Sequence, residues 1–113
     1  MLSVGVDIVE NKRIEKSIND SFLNIVLSKE EIEIYKKYTD NRAIEFVSGR
    51  WALKEAIIKC LADYEVPMMN KLVILNKENG KPYIEYKNYK IAVSLSHENN
   101  YSIGFAVLEE IGK

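Results

Sequence analysis

Ser48-Gly49-Arg50-Trp51-Ala52-Leu53-Lys54-Glu55-Ala56-Ile57-Ile58-Lys59-Cys60-Leu61 reads as one helix. Ser48, Ala52, Glu55, Lys59 and Ala62 recur at helical spacing and share a face. On that face small residues surround one acid and one base, which leaves room for something to approach Glu55 and Lys59. An acid that can bind a cation, one turn from a base that can bind a phosphate, suits phosphate chemistry. The same spacing is that of an ordinary exposed helix ion pair, worth roughly 0.2–0.5 kcal/mol. Spacing alone leaves both readings open.

Working outward, the helix runs from about Asn41 to Ala62, with Ala43, Val47, Ile57, Ile58 and Leu61 on its buried side. Upstream, Ser28-Lys29-Glu30-Glu31 is a capping-box pattern that starts a short helix through about Tyr38. Ile14, Ile18, Phe22 and Ile25 keep helical spacing, broken near Asn19-Asp20, and Leu2–Ile8 reads as a short buried strand ending at Asp7. Downstream the pattern changes. Leu72–Leu75 and Tyr83–Tyr86 read as strands flanking the hairpin signal Asn79-Gly80, with Pro82 at a strand start or edge. Ile91–Ser96 and Tyr101–Leu108 form a second pair, joined through His97-Glu98-Asn99-Asn100. Helices followed by antiparallel strands predict an α+β fold: an N-terminal strand and helices, then a long central helix packed on an antiparallel sheet.

The chain has 113 residues, which predicts one domain spanning 1–113. A hydrophobic content of 47% allows a core, though a small one, which another copy of the chain could complete. Net charge is −1, and no basic run resembles a nucleic-acid footprint. The lone Cys60 excludes an intrachain disulfide and reads as a small core residue. No apolar run approaches the ~20 residues that span a bilayer. Met1–Asp7 lacks a basic leader, so a cytoplasmic protein without a signal peptide is expected.

Three segments combine. They are Val4-Gly5-Val6-Asp7-Ile8-Val9-Glu10 with Arg13-Ile14, then Gly49-Arg50-Trp51-Ala52 through Lys54-Glu55-Ala56 and Lys59, then Val93-Ser94-Leu95-Ser96-His97-Glu98. In this order and at these separations they resemble the holo-acyl-carrier-protein synthases, the small phosphopantetheinyl transferases. Asn79-Gly80-Lys81-Pro82-Tyr83 is similar to that family's hairpin. The resemblance covers about residues 4–107. It implies transfer of the phosphopantetheine arm of coenzyme A to a serine of an apo acyl carrier protein. It further implies that Asp7 and Glu55 ligate Mg²⁺ with pyrophosphate oxygens and water, which suits an ion that seldom takes an all-protein cage. Lys59 would hold a phosphate oxygen and stabilise the leaving group. Glu55, or a water on the metal, would take the serine proton.

By the same resemblance Arg50, Lys59, Gly80, Pro82, Ser94, Ser96 and His97 contact coenzyme A, Arg13 docks the carrier, and the protein is a homotrimer with active sites between subunits. Simpler readings stand beside these. Asp7 could be a strand-end turn former, Arg50 a helix ion-pair partner and His97 a surface residue, while the turn alone explains Gly80 and Pro82. A catalytically silent carrier-protein or coenzyme A binding module is the alternative function. One departure bears on it: family members usually have a glycine-rich stretch after the lysine-bearing helix, and residues 62–69 contain no glycine.

Overall fold

The structure is a computed structural model that describes residues 2–111. Strand β1 (Leu2–Glu10) leads into three short helices, α1 (Asn11–Ser17), α2 (Asp20–Val26) and α3 (Lys29–Tyr35), and then the long α4 (Asp40–Leu61). A 3-10 turn (Met69–Lys71) precedes β2 (Ile74–Asn76), β3 (Pro82–Ile84), β4 (Tyr89–His97) and β5 (Tyr101–Glu110). β1, β5 and β4 form an antiparallel sheet in that order, and β2 pairs with β3 as a separate hairpin. α4 lies across one face of the three-stranded sheet. The expected α+β architecture is present, with the long helix on an antiparallel sheet.

Local chemistry sets the boundaries. Asn19 caps α2 by accepting from the Phe22 N–H, which fixes the expected break after α1. The capping box forms in full: Ser28 Oγ accepts from the Glu31 N–H, and the Glu31 carboxylate from the Ser28 N–H. α3 ends at Tyr35 rather than Tyr38, because the chain tightens there into i→i+3 bonds before α4 starts. Gly80 takes φ +89 in the β2–β3 turn, and Pro82 opens β3 as expected.

Two expectations are corrected. β1 is not a buried strand, and it runs on to Glu10: Leu2, Val4, Val6 and Ile8 are each more than half exposed. Only one face of this edge strand is covered by α4, so alternate side chains stand on an open face. The second correction concerns the small residues of α4. Ser48 and Ala52 are fully buried and leave no room for a ligand. Ala52 and Ala56 admit the sheet: a Cβ on Gly104 would lie 2.5 Å from the Ala52 carbonyl, and one on Gly5 would run into the Ala56 carbonyl. Helix and strand backbones touch at these two glycines.

α4 consequently serves two cores. Leu53, Ala56, Ile57, Cys60 and Leu61 pack with Leu72, Ile74, Val93, Ala106 and Leu108. Phe46, Val47 and Ala52 pack with Val9, Ile14, Val26 and Leu27 from β1 and the short helices. Cys60 is a buried core residue, as expected.

Candidate active site

The close approach of α4 to β1 builds a charged cluster from distant segments. In the sheet Asp7 lies opposite Gly104, which lies opposite Leu95, so Asp7 points to the covered face, toward α4. Lys59, near the end of α4, reaches across to β1. Its Nζ donates to the Val6 carbonyl at 2.8 Å and lies 3.5 Å from Asp7 Oδ1. The ordinary Glu55–Lys59 helix pair does not form among the described residues; the ammonium is drawn to the strand instead. Glu55 is half-buried, and its carboxyl sits above the usual glutamate range. Burial is the main cause, the Asp7 charge adds to it, and Lys59 partly offsets both. Asp7, Glu55 and Lys59 therefore feel one another, two carboxylates against one ammonium.

No group of three or more His, Cys, Asp or Glu side chains is poised for a metal among the described residues. Two hard carboxylates, one of them partly desolvated, are what an ion completing its shell with phosphate oxygens and water requires.

A second region lies on the other side of α4. A cavity of about 670 Å³ is lined by Arg50, Asn76, Gly80, Pro82, Leu95 and His97 among others. Four of the residues expected to meet coenzyme A, namely Arg50, Gly80, Pro82 and His97, are thus gathered in one place. Arg50 is buried. Its Nη2 donates to Asn76 Oδ1 at 2.7 Å, its Nε lies 3.3 Å from Glu31 Oε2, and its guanidinium sits 4.6 Å from the centre of the Phe46 ring. Burial lowers its pKa, and the Glu31 charge raises it.

Ser94 and Ser96 are not brought to this cavity. β4 alternates, so both point to the open face, where Ser94 lies opposite Phe105 and Ser96 opposite Ile103. Ser96 and His97 do share a shallower pocket of about 300 Å³ there, with Ile8 and Tyr101. Arg13 is exposed on α1 and forms no ion pair among the described residues.

Three residues have roles in the fold that no motif gives. Asn76 bridges Arg50 to the hairpin, since its Nδ2 donates to the Gly80 carbonyl at 2.9 Å. Asn11 ties the start of α1 to the β4–β5 turn: its Nδ2 donates to the Glu98 carbonyl, and Ser102 Oγ donates to its Oδ1. Glu31 is more than a cap, because it also pairs with the buried Lys54 and Arg50. A signal for it existed. Arg50 and Lys54 stand one turn apart on a helix otherwise crowded with core residues, and buried cations require an anion.

Comparison with known proteins finds relatives over nearly the whole chain. A profile of the 4'-phosphopantetheinyl transferase superfamily matches residues 3–106. A holo-[acyl-carrier-protein] synthase of Mycoplasma mycoides is 44% identical over 112 residues, covering 98% of this chain and 97% of that protein. One from a Geobacillus species is 33% identical, with 98% of each chain covered. Among solved structures, a holo-(acyl-carrier-protein) synthase from Bacillus anthracis in complex with CoA (3',5'-ADP) superimposes with a TM-score of 0.87 at 30% identity, covering 96% of each chain.

Proposed function

This chain belongs to the 4'-phosphopantetheinyl transferase superfamily, and on that premise we propose how its residues carry out the reaction. It is a holo-acyl-carrier-protein synthase: it transfers the phosphopantetheine arm of coenzyme A to a serine of an apo acyl carrier protein. Residues 1–113 act as one transferase domain, and fatty acid biosynthesis is the natural setting for its product. No described helix is long and apolar enough to cross a membrane, and we place the enzyme in the cytoplasm.

The observation that carries the mechanism is the meeting of Asp7, Glu55 and Lys59 across β1 and α4. The two carboxylates fit Mg²⁺, which when bound would supply positive charge to the pyrophosphate. Glu55 accepts the proton of the carrier serine, directly or through a water; burial and the Asp7 charge make it more basic than an ordinary glutamate. The serine oxygen bonds to the phosphorus that bears the pantetheine arm, and the bond from that phosphorus to the bridging oxygen breaks. Lys59 exchanges its contact with the Val6 carbonyl for a phosphate oxygen and stabilises the departing adenosine 3',5'-bisphosphate as charge builds there. Arg50, Gly80, Pro82 and His97 hold the adenosine end in the cavity.

Within one chain these two regions lie on different sides of α4. Arg50 and Lys59 are nine residues apart, about 180° around a helix. The open face of the sheet is apolar, with Val4, Val6, Ile8, Ile103 and Phe105 exposed. Such a patch is a surface for association. Both features support a homotrimer whose sites combine the Asp7 cluster of one copy with the cavity of the next. Ser94 and Ser96 enter the site through that interface. Arg13 on α1 docks the carrier. The glycine-free stretch 62–69 is the one departure on the side of a silent binding module, and the presence of Asp7, Glu55 and Lys59 weighs against it.

The test is mass spectrometry of an apo acyl carrier protein incubated with the enzyme, coenzyme A and Mg²⁺. A gain of one phosphopantetheine is expected, abolished by EDTA and restored by Mg²⁺. No gain under any metal would overturn the reading.

A further inference from the structure

Glu31 is fully buried although it carries a charge, and it sits where four segments meet. Oε1 accepts from the Ser28 N–H at 2.8 Å and from Lys54 Nζ. Oε2 accepts from the Ile74 N–H at 2.9 Å and lies 3.3 Å from Arg50 Nε. The two cations differ in what else they do. Lys54 is absorbed by the fold, since its Nζ also donates to the Val26 carbonyl at 2.6 Å. Arg50 spans from the buried carboxylate to the wall of the 670 Å³ cavity, where Nη2 meets Asn76. Among the described residues Arg50 Nε has no hydrogen-bond partner, so Glu31 holds that edge as an ion pair rather than by a directed hydrogen bond.

We propose that Glu31 is a positioning residue for coenzyme A: it anchors the Nε edge of Arg50, so that the Nη edge is presented at the cavity wall for a phosphate oxygen. The inference rests on the reading of Arg50 as a coenzyme A contact. A planar guanidinium recognises phosphate through two parallel hydrogen bonds, and that geometry is lost when the fork swings. Glu31 grips one edge, Asn76 holds a second nitrogen, and the Phe46 ring lies beneath. Ordering the fork before the ligand arrives removes a cost of binding. The brace begins in the capping box of α3, an element that contributes no residue to the charged cluster.

Glu31→Gln alone would strand two buried cations and is expected to unfold much of the protein. The informative variants leave at most one buried cation without its anion. Lys54→Met removes one cation and leaves Glu31 with Arg50. Glu31→Gln with Lys54→Met replaces the buried ion pair by a neutral pair of similar volume and takes the anion from Arg50. Each is compared with Arg50→Ala by circular dichroism and by steady-state kinetics in both substrates. Lys54→Met should leave the coenzyme A KM within about twofold. The paired variant should raise it about tenfold, as the loss of one charge-assisted contact would. Its kcat and carrier KM should stay within about twofold. Added to Arg50→Ala, the paired change should alter nothing further. A folded paired variant with the coenzyme A KM of Lys54→Met would overturn the inference while Arg50→Ala kept the reading of the cavity intact. A rise in both KM values together would mark general loosening and also overturn it. An unchanged KM in Arg50→Ala would remove both.

Discussion

Glu55 and Asp7 repel each other across the helix–strand contact, and that conflict has a measurable sign. Glu55 has its pKa raised in the folded chain, chiefly by burial and then by Asp7. A raised carboxylate binds its proton more tightly folded than unfolded, so stability is greatest below the ordinary glutamate range and falls as pH rises through the folded pKa. In metal-free protein, Glu55→Gln should therefore melt above wild type at pH 7, with the difference closing in acid. The gain should be a few degrees at most, since the half-buried carboxyl is screened by solvent. A lower melting temperature at pH 7 would contradict this. Activity should move the opposite way. Asp7→Ala and Glu55→Ala should each cost about a hundredfold or more in transfer while remaining folded, because on the proposed mechanism each removes half of the carboxylate charge that would hold Mg²⁺. Near-normal turnover in either folded variant would remove the carboxylates from the mechanism.

Among the elements, α4 decides most. Its boundaries are legible from periodicity and caps, and the observed Asp40–Leu61 differs by one residue at each end from the expected span. Its small residues were the harder reading. A row of Ser and Ala beside an acid and a base looks like a ligand groove; in the fold the sheet backbone lands on Ala52 and on Ala56. Which of the two a small-residue face becomes depends on its partner, and Gly5 and Gly104 lie far away in sequence. Gly104→Ala should cost ~1–3 kcal/mol in chemical denaturation, since the new methyl group meets backbone rather than a movable side chain. An unchanged midpoint would show that helix and sheet can part without cost. The glycine-free stretch after α4 is held another way: Glu65 accepts from Tyr86 Oη at 2.8 Å and pairs with Lys87 at 2.9 Å, clasping the stretch to the β3–β4 turn.

For the molecule as a whole, two surfaces carry the predictions. On the open face of the sheet, Phe105→Glu would set a charge amid exposed apolar side chains. Light scattering should then report a monomer, and activity should be lost together with assembly, because the carboxylate cluster and the cavity proposed for coenzyme A lie on different sides of α4 in one chain. A fully active monomer at micromolar concentration would exclude shared sites. On α1, Lys12, Arg13 and Lys16 are exposed. Arg13→Glu should raise the carrier KM about tenfold, the loss of one contact of ~1.4 kcal/mol, and leave the coenzyme A KM unchanged. The wild-type carrier KM should itself rise with salt, since exposed charges are screened over ~10 Å at 0.1 M. A loss confined to coenzyme A would place carrier docking elsewhere.

Local rules on this chain act over a few residues, and they suffice for the elements: the capping box at Ser28, the break at Asn19, the turn at Gly80, the long helix and the antiparallel pairs. The motif segments likewise name Asp7, Glu55, Lys59, Arg50 and His97 without any coordinates. Three things needed the tertiary structure. Burial belongs to faces rather than strands, so β1 is half open because only one side of the sheet receives α4. Charge pairing belongs to whatever approaches, so Lys59 turns from Glu55 to a strand carbonyl more than fifty residues away, and Glu31 turns from a cap into the counter-ion of two buried cations. And a site assembled around a helix has sides, so residues gathered by their motifs are parted by α4 in space. Spacing along a chain fixes which residues share an element; only packing fixes which elements meet.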